Sequence, residues 1–102
     1  MEHTDIVVGI ALEEACLTLD ELARACAVEA DWIARRAAEG LLPPVGEARG
    51  EWRFTAASLR RAQRMRGIER DFDAVPELAA LMADLLDEMD ELRARLRRLG
   101  AE

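Results

Sequence analysis

From Pro76 to Leu99 the apolar residues Leu78, Met82, Leu85, Met89, Leu92, Leu96 and Leu99 recur at alternating steps of four and three. Heptad spacing of this kind draws one narrow apolar seam along an α-helix. Leu81 and Leu86 flank the seam and widen it, so the helix could also touch a globular body. The charges between these residues are segregated. Asp84, Asp87, Glu88, Asp90 and Glu91 fill the middle without one base, and Arg93, Arg95, Arg97 and Arg98 crowd the end. An antiparallel partner of identical sequence would lay acidic turns against arginine turns, whereas a parallel one would set like against like. The arginines also sit at the C-terminal end, where the helix dipole favours them. The pattern predicts a homodimer through an antiparallel helix pair, with those seven seam residues as its contact. The alternative is an amphipathic helix folded back on its own domain.

The 102-residue chain has a length that suits one domain with an appended helix. It is 51% hydrophobic but has only two Trp, two Phe and no Tyr, so its core must be built mainly from Ala, Leu, Val and Ile, as suits a helical protein. No apolar run approaches the ~20 residues of a membrane span, and no basic segment precedes the first apolar stretch. A cytoplasmic protein is expected. Cys16 and Cys26, in apolar surroundings, read as buried thiols in such a compartment.

The net charge of −7 alternates in blocks. Residues 48–70 hold seven arginines and two acids, whereas 71–91 hold eight acids and no base. A surface this acidic is repelled by phosphate backbones unless one patch reverses the local field, and only 48–70 could do so.

Ile6, Val8, Ile10 and Leu12 alternate with other small or apolar residues as in a short strand or extended arm, so 1–16 reads as an N-terminal arm. Thr18-Leu-Asp-Glu21 has capping-box spacing and should start a helix over Leu19 to about Ala25, burying Leu19, Leu22 and Ala23. After a break near Cys26–Val28, a second helix is expected from about Glu29 to Glu39, with Trp32 in the core, or else an exposed anchor for a partner, and Gly40 as its left-handed cap. Two short helices joined by a tight turn make a helix-turn-helix. Pro43 and Pro44 lead into the turn-rich 45–50, suited to a hairpin tip, and Trp52-Arg53-Phe54 reads as a short strand with both aromatics on one side. Together these predict a wing. Thr55 should cap a third helix whose buried stripe is Leu59, Ala62, Met65, Ile68 and Phe72, with Arg60, Arg61 and Arg64 facing outward. Asp73 is placed to cap the last helix. The organisation expected is a small winged helix-turn-helix over 17–73 and a long helix over 74–102, mainly α throughout.

From Leu17 onward this order resembles a MerR-like winged helix, and within that superfamily it is most similar to the chaperone-modulator (CbpM) family. The likeness lies in Trp52-Arg53-Phe54, Leu59-Arg60-Arg61, Arg70-Asp71-Phe72 and the terminal Leu92-Arg-Ala-Arg-Leu-Arg-Arg-Leu99. It implies a fold like that of DNA-binding regulators but a different partner: the J-domain of a CbpA/DnaJ-type co-chaperone. Such a protein inhibits the co-chaperone's stimulation of a DnaK-type chaperone and weakens its DNA binding. The resemblance also implies that the J-domain presents a basic helix. The matching chemistry in this chain is Asp71, Asp73, Asp84, Asp87, Glu88 and Glu91, carboxylates that would steer a basic partner and set its orientation. A merely solvated helix face is the competing explanation.

The second helix opens with Glu29-Ala30-Asp31-Trp32, the turns that enter the major groove in a DNA reader. Carboxylates at that edge repel phosphate, which disfavours DNA as partner. The DNA-binding alternative, a MerR-like transcriptional regulator, would depend on Arg49, Arg53, Arg60, Arg61 and Arg64 straddling a phosphate backbone from the wing and third helix. Catalysis is not expected. His3 is the only histidine, the two cysteines lack zinc-site spacing, Ser58 has no base in its pattern, and no glycine-rich phosphate loop occurs. Carboxylate pairs such as Glu13-Glu14 have no predicted apolar pocket to separate their pKa values. No metal or cofactor is expected.

Overall fold

A computed structural model describes residues 16–100. The expected N-terminal strand, Glu13-Glu14 and His3 lie outside them. The chain packs as two compact units that divide between Gln63 and Arg64.

The first unit begins with α1 (Leu19–Cys26). Its capping box is formed: the Thr18 hydroxyl accepts from the Glu21 amide at 3.1 Å, and the Glu21 carboxylate accepts from the Thr18 amide at 2.9 Å. Two of the amides a helix start leaves unsatisfied are thereby satisfied. α1 buries Leu22, Ala23 and Cys26, while Leu19 is only half-buried. It ends at Ala27, which adopts a left-handed conformation with φ +57°, and the Val28 amide then closes onto the Ala23 carbonyl at 3.0 Å. For a residue with a Cβ this geometry costs about 1–2 kcal/mol. α2 (Ala30–Ala38) follows, burying Ile33, Ala34 and Ala37, and Gly40 at φ +80° ends it as its position predicts.

Leu42 and Phe54 are fully buried and close this core with Ile33 and Leu22. Segment 52–54 pairs on two sides. Arg53 exchanges both backbone bonds with Val45 at 2.9 Å, and Phe54 exchanges both with Leu17 at 3.0 and 2.7 Å. The expected strand is therefore a pair of isolated antiparallel bridges. Pairing stops because a 3-10 turn over Arg49–Glu51 draws the chain away and Gly46 turns at φ +108°. A Cβ on Gly46 would lie 2.7 Å from the Glu51 carbonyl oxygen, so this turn requires glycine. Trp52 packs edge-on against Phe54 with centroids 6.4 Å apart, on the side opposite Arg53.

α3 (Ala56–Phe72) is capped by Thr55, whose hydroxyl accepts from the Ser58 amide at 3.1 Å. Ala62 is buried in the first unit, and Leu59 is half-buried. In the second unit Met65 and Ile68 continue the buried stripe, but Phe72 is 68% exposed, contrary to expectation. The helix ends at Phe72 and Asp73 turns left-handed at φ +52°, so the stripe stops one turn earlier. Asp73 thus terminates α3 and does not cap the next helix. That role falls to Val75, which makes no side-chain cap bond. Pro76 takes the first helical position, where its missing N–H leaves nothing unpaired. α4 (Pro76–Arg98) then runs to Leu99 and Gly100.

The second unit buries Ala79, Ala80 and Ala83 of α4. The leucine seam is left outside that packing.

Candidate functional site

Three sides of α4 serve different purposes. The side carrying Ala79 and Ala83 is covered, and Arg64 of α3 pairs with carboxylates of α4 on that side. One guanidinium nitrogen of Arg64 lies 2.8 Å from Asp87 and the other 3.4 Å from Asp90. Asp90 is also 3.7 Å from Arg93. At 100° per residue the heptad seam projects away from the alanines. Leu85 and Leu92 are each 53% exposed and Leu99 80%, with Leu78, Met89 and Leu96 similarly open and Met82 half-buried. The remaining side carries Asp84, Glu88 and Glu91, all exposed.

The six carboxylates expected to meet a basic partner are therefore not equivalent. Asp87 is engaged by Arg64, and Asp71 sits 3.2 Å from the Nε of its neighbour Arg70. Asp73 is exposed on the left-handed turn between α3 and α4. Asp84, Glu88 and Glu91 form one ridge, because positions 84, 88 and 91 recur at helical spacing.

The arginines that could follow a phosphate backbone also divide. Arg49, Arg53 and Arg60 are exposed, and one guanidinium N–H of Arg53 donates to the Trp52 carbonyl at 2.8 Å. The Nε–H of Arg61 donates to the Leu41 carbonyl at 2.8 Å, closing the end of α2, and Arg64 is held by the α4 carboxylates. In α2, Asp31 pairs with Arg35 at 3.0 Å. Arg36 is buried, donates to the Trp32 carbonyl at 3.0 Å and stacks 3.7 Å from the centre of the Trp32 ring. Trp32 is half-buried beneath that guanidinium, not in the core as expected. The leading turn of α2 thus presents Glu29, Asp31 and a covered indole.

Cys26 is buried as expected, but Cys16 is exposed. A cleft of about 310 Å³ lies among Asp20, Arg49, Trp52 and Arg53, where charges of both signs meet. Among the described residues no group of three His, Cys, Asp or Glu side chains is placed to hold a metal ion, and no helix is long and apolar enough to cross a membrane.

Two features leave only a faint trace in the sequence. The alanine stripe at positions 79, 80 and 83 carries little hydrophobicity per residue, though its i, i+4 spacing is visible. The stacking of Arg36 on Trp32 was also signalled only by i, i+4 spacing.

A model of the family described as MerR HTH family regulatory protein matches residues 17–100. Over 95 residues the chain is 32% identical to the chaperone modulatory protein CbpM of Coxiella burnetii strain Dugway 5J108-111, covering 92% of this chain and 90% of the relative. The CbpM proteins of strains RSA 331 / Henzerling II and CbuG_Q212 match to the same extent. The chain belongs to the CbpM family of MerR-like proteins. No solved structure matches it. The match to the MerR family model spans both compact units, since residues 17–100 run through α1 to α4. The mainly helical architecture is that of a MerR-like domain.

Proposed function

We propose that this protein is a non-enzymatic chaperone modulator that binds the J-domain of a CbpA/DnaJ-type co-chaperone. Occupying the J-domain, it inhibits stimulation of a DnaK-type chaperone and weakens the co-chaperone's own DNA binding. The setting is the cytoplasm. The relatives' name supports chaperone modulation in general. The observation that carries the finer reading is the exposed ridge of Asp84, Glu88 and Glu91 on α4, chemistry suited to a basic helix. Asp71 and Asp73 extend the acidic surface, and Asp87 contributes more weakly because Arg64 already neutralises it.

The leading carboxylates of α2 and the internal engagement of Arg61 and Arg64 weigh against a DNA-binding regulator, which would retain only Arg49, Arg53 and Arg60 as exposed phosphate contacts. In this reading residues 17–73 form the winged helix-turn-helix, with the loop closed by the Val45–Arg53 pairing as its wing, and 74–102 form the partner-binding and dimerisation helix. Two copies associate through antiparallel α4 seams.

The test is the steady-state ATPase of a DnaK-type chaperone with the J-domain co-chaperone from the same source. Added protein should suppress the J-dependent rate and leave the basal rate unchanged. An undiminished J-dependent rate at saturating protein would overturn the proposal.

A further inference from the structure

We propose that the cleft of the first unit binds an acidic peptide, with Arg49 and Arg53 holding a carboxylate and Trp52 an adjoining apolar side chain. The cleft encloses about 310 Å³, room for a carboxylate side chain and its neighbour, and Thr18, Leu19 and Asp20 complete its lining. All these residues belong to the first unit, whereas the acidic ridge of α4 belongs to the second. The site is therefore independent of the J-domain reading.

Short-range contacts hold this lining in place, which lowers the cost of ordering it around a ligand. Thr18 is locked by the capping box of α1, which sets Asp20 in the first turn of that helix. Arg49 opens the 3-10 turn, which the Glu51 amide closes onto the Ala48 carbonyl at 2.8 Å. Trp52 is half-buried and braced edge-on by the fully buried Phe54, so its indole is a fixed apolar surface. Arg53 folds back to donate one guanidinium N–H to the Trp52 carbonyl at 2.8 Å, and its other donors remain for a ligand. Among the described residues no carboxylate is ion-paired with Arg49 or Arg53. Guanidinium groups without an internal counter-ion are suited to forked hydrogen bonds with a carboxylate.

The balance of charge chooses the ligand. Asp20 is exposed and lines the same cleft as the two arginines, so the lining carries a single net positive charge. That suits one carboxylate and disfavours the successive charges of a phosphate backbone. A peptide also brings N–H donors for the Asp20 carboxylate to accept, which a phosphodiester lacks. Glu29 and Asp31, at the leading turn of α2 in the same unit, add to the repulsion of a duplex. The Trp52 ring and the half-buried Leu19 favour an aromatic or aliphatic residue beside the acid. The cleft thus selects an acidic, apolar segment, opposite in charge to the partner suited to the α4 ridge.

The experiment is an amide NMR titration of the full chain with the blocked peptide acetyl-Gly-Glu-Phe-Gly-amide, its glutamine counterpart and a mixed-sequence DNA duplex. The glutamate peptide should shift the amides of Thr18, Leu19, Asp20, Arg49 and Arg53 and the Trp52 indole, with an affinity of about millimolar or tighter. The glutamine peptide should bind about tenfold more weakly, and Arg49→Gln and Arg53→Gln should each weaken the glutamate peptide about tenfold. Both positions are exposed, and unchanged signals from Leu22, Ile33 and Phe54 verify that each variant is folded. No shift at about 10 mM glutamate peptide, equal binding of the glutamine peptide, or unchanged affinity in either variant would overturn the proposal. Displacement of the peptide from these residues by the duplex would overturn it in favour of nucleic acid.

Discussion

The two units of this chain use their large apolar side chains in opposite ways. The first takes Leu22, Ile33, Leu42 and Phe54 completely out of water. The second buries Met65 and Ile68 with three alanines and leaves Leu78, Leu81, Leu85, Leu92, Leu96 and Leu99 about half exposed or more. A stretch of leucines at heptad spacing that its own unit does not cover is the surface on which the proposed association depends. The first unit therefore covers its own large apolar side chains, whereas the second leaves its apolar seam exposed.

This contrast can be broken most severely at Phe54. Phe54→Ala should cost about 3–5 kcal/mol of folding stability, read from chemical denaturation, because the fully buried ring leaves a cavity behind. A loss under about 1 kcal/mol would mean that the first unit does not depend on this core. Leu92→Asp is the counterpart. It should leave helicity intact and weaken self-association by about a hundredfold or more, since each dimer would desolvate two carboxylates. Sedimentation showing an intact dimer would discard the seam.

Smaller changes sharpen the same contrast. Ala83→Leu should destabilise the chain by about 1–3 kcal/mol in thermal unfolding, because a fully covered position has no room for the added side chain. The reverse outcome would show that α4 is loosely held. Thr18→Ala removes one half of a formed capping box and should cost about 1 kcal/mol. Smallest is Ala27→Gly: relief of a left-handed alanine should raise stability by up to about 1 kcal/mol, measured as an increase in melting temperature.

Much of the first unit is legible in the sequence because its signals are local. Thr18 and Glu21 announce a capping box, Gly40 a left-handed cap, and Thr55 with Ser58 a third helix start; each is satisfied by atoms within a few residues. Asp73 misleads for the same reason. A short polar side chain before Pro76 suits both a helix start and a left-handed stop, and only the packing of α3 decides between them. Trp52-Arg53-Phe54 reads as a strand by alternation, yet sequence pattern does not reveal that Gly46 and the turn at Arg49 limit the pairing to single bridges. Within the candidate surface, the acidic block was visible as composition, whereas its division was not. That Arg64 reaches Asp87 and Asp90 from another helix is a matter of tertiary placement, and formal charge counts treat all of these carboxylates alike.

The most direct test of J-domain recognition is titration calorimetry of the full chain against the J-domain of the co-chaperone from its own source, at low and high salt. Binding of about micromolar affinity or tighter that weakens as salt rises is the predicted result. Absence of heat, together with no binding by a second method, would contradict it and direct attention to Arg49, Arg53 and Arg60 and to DNA.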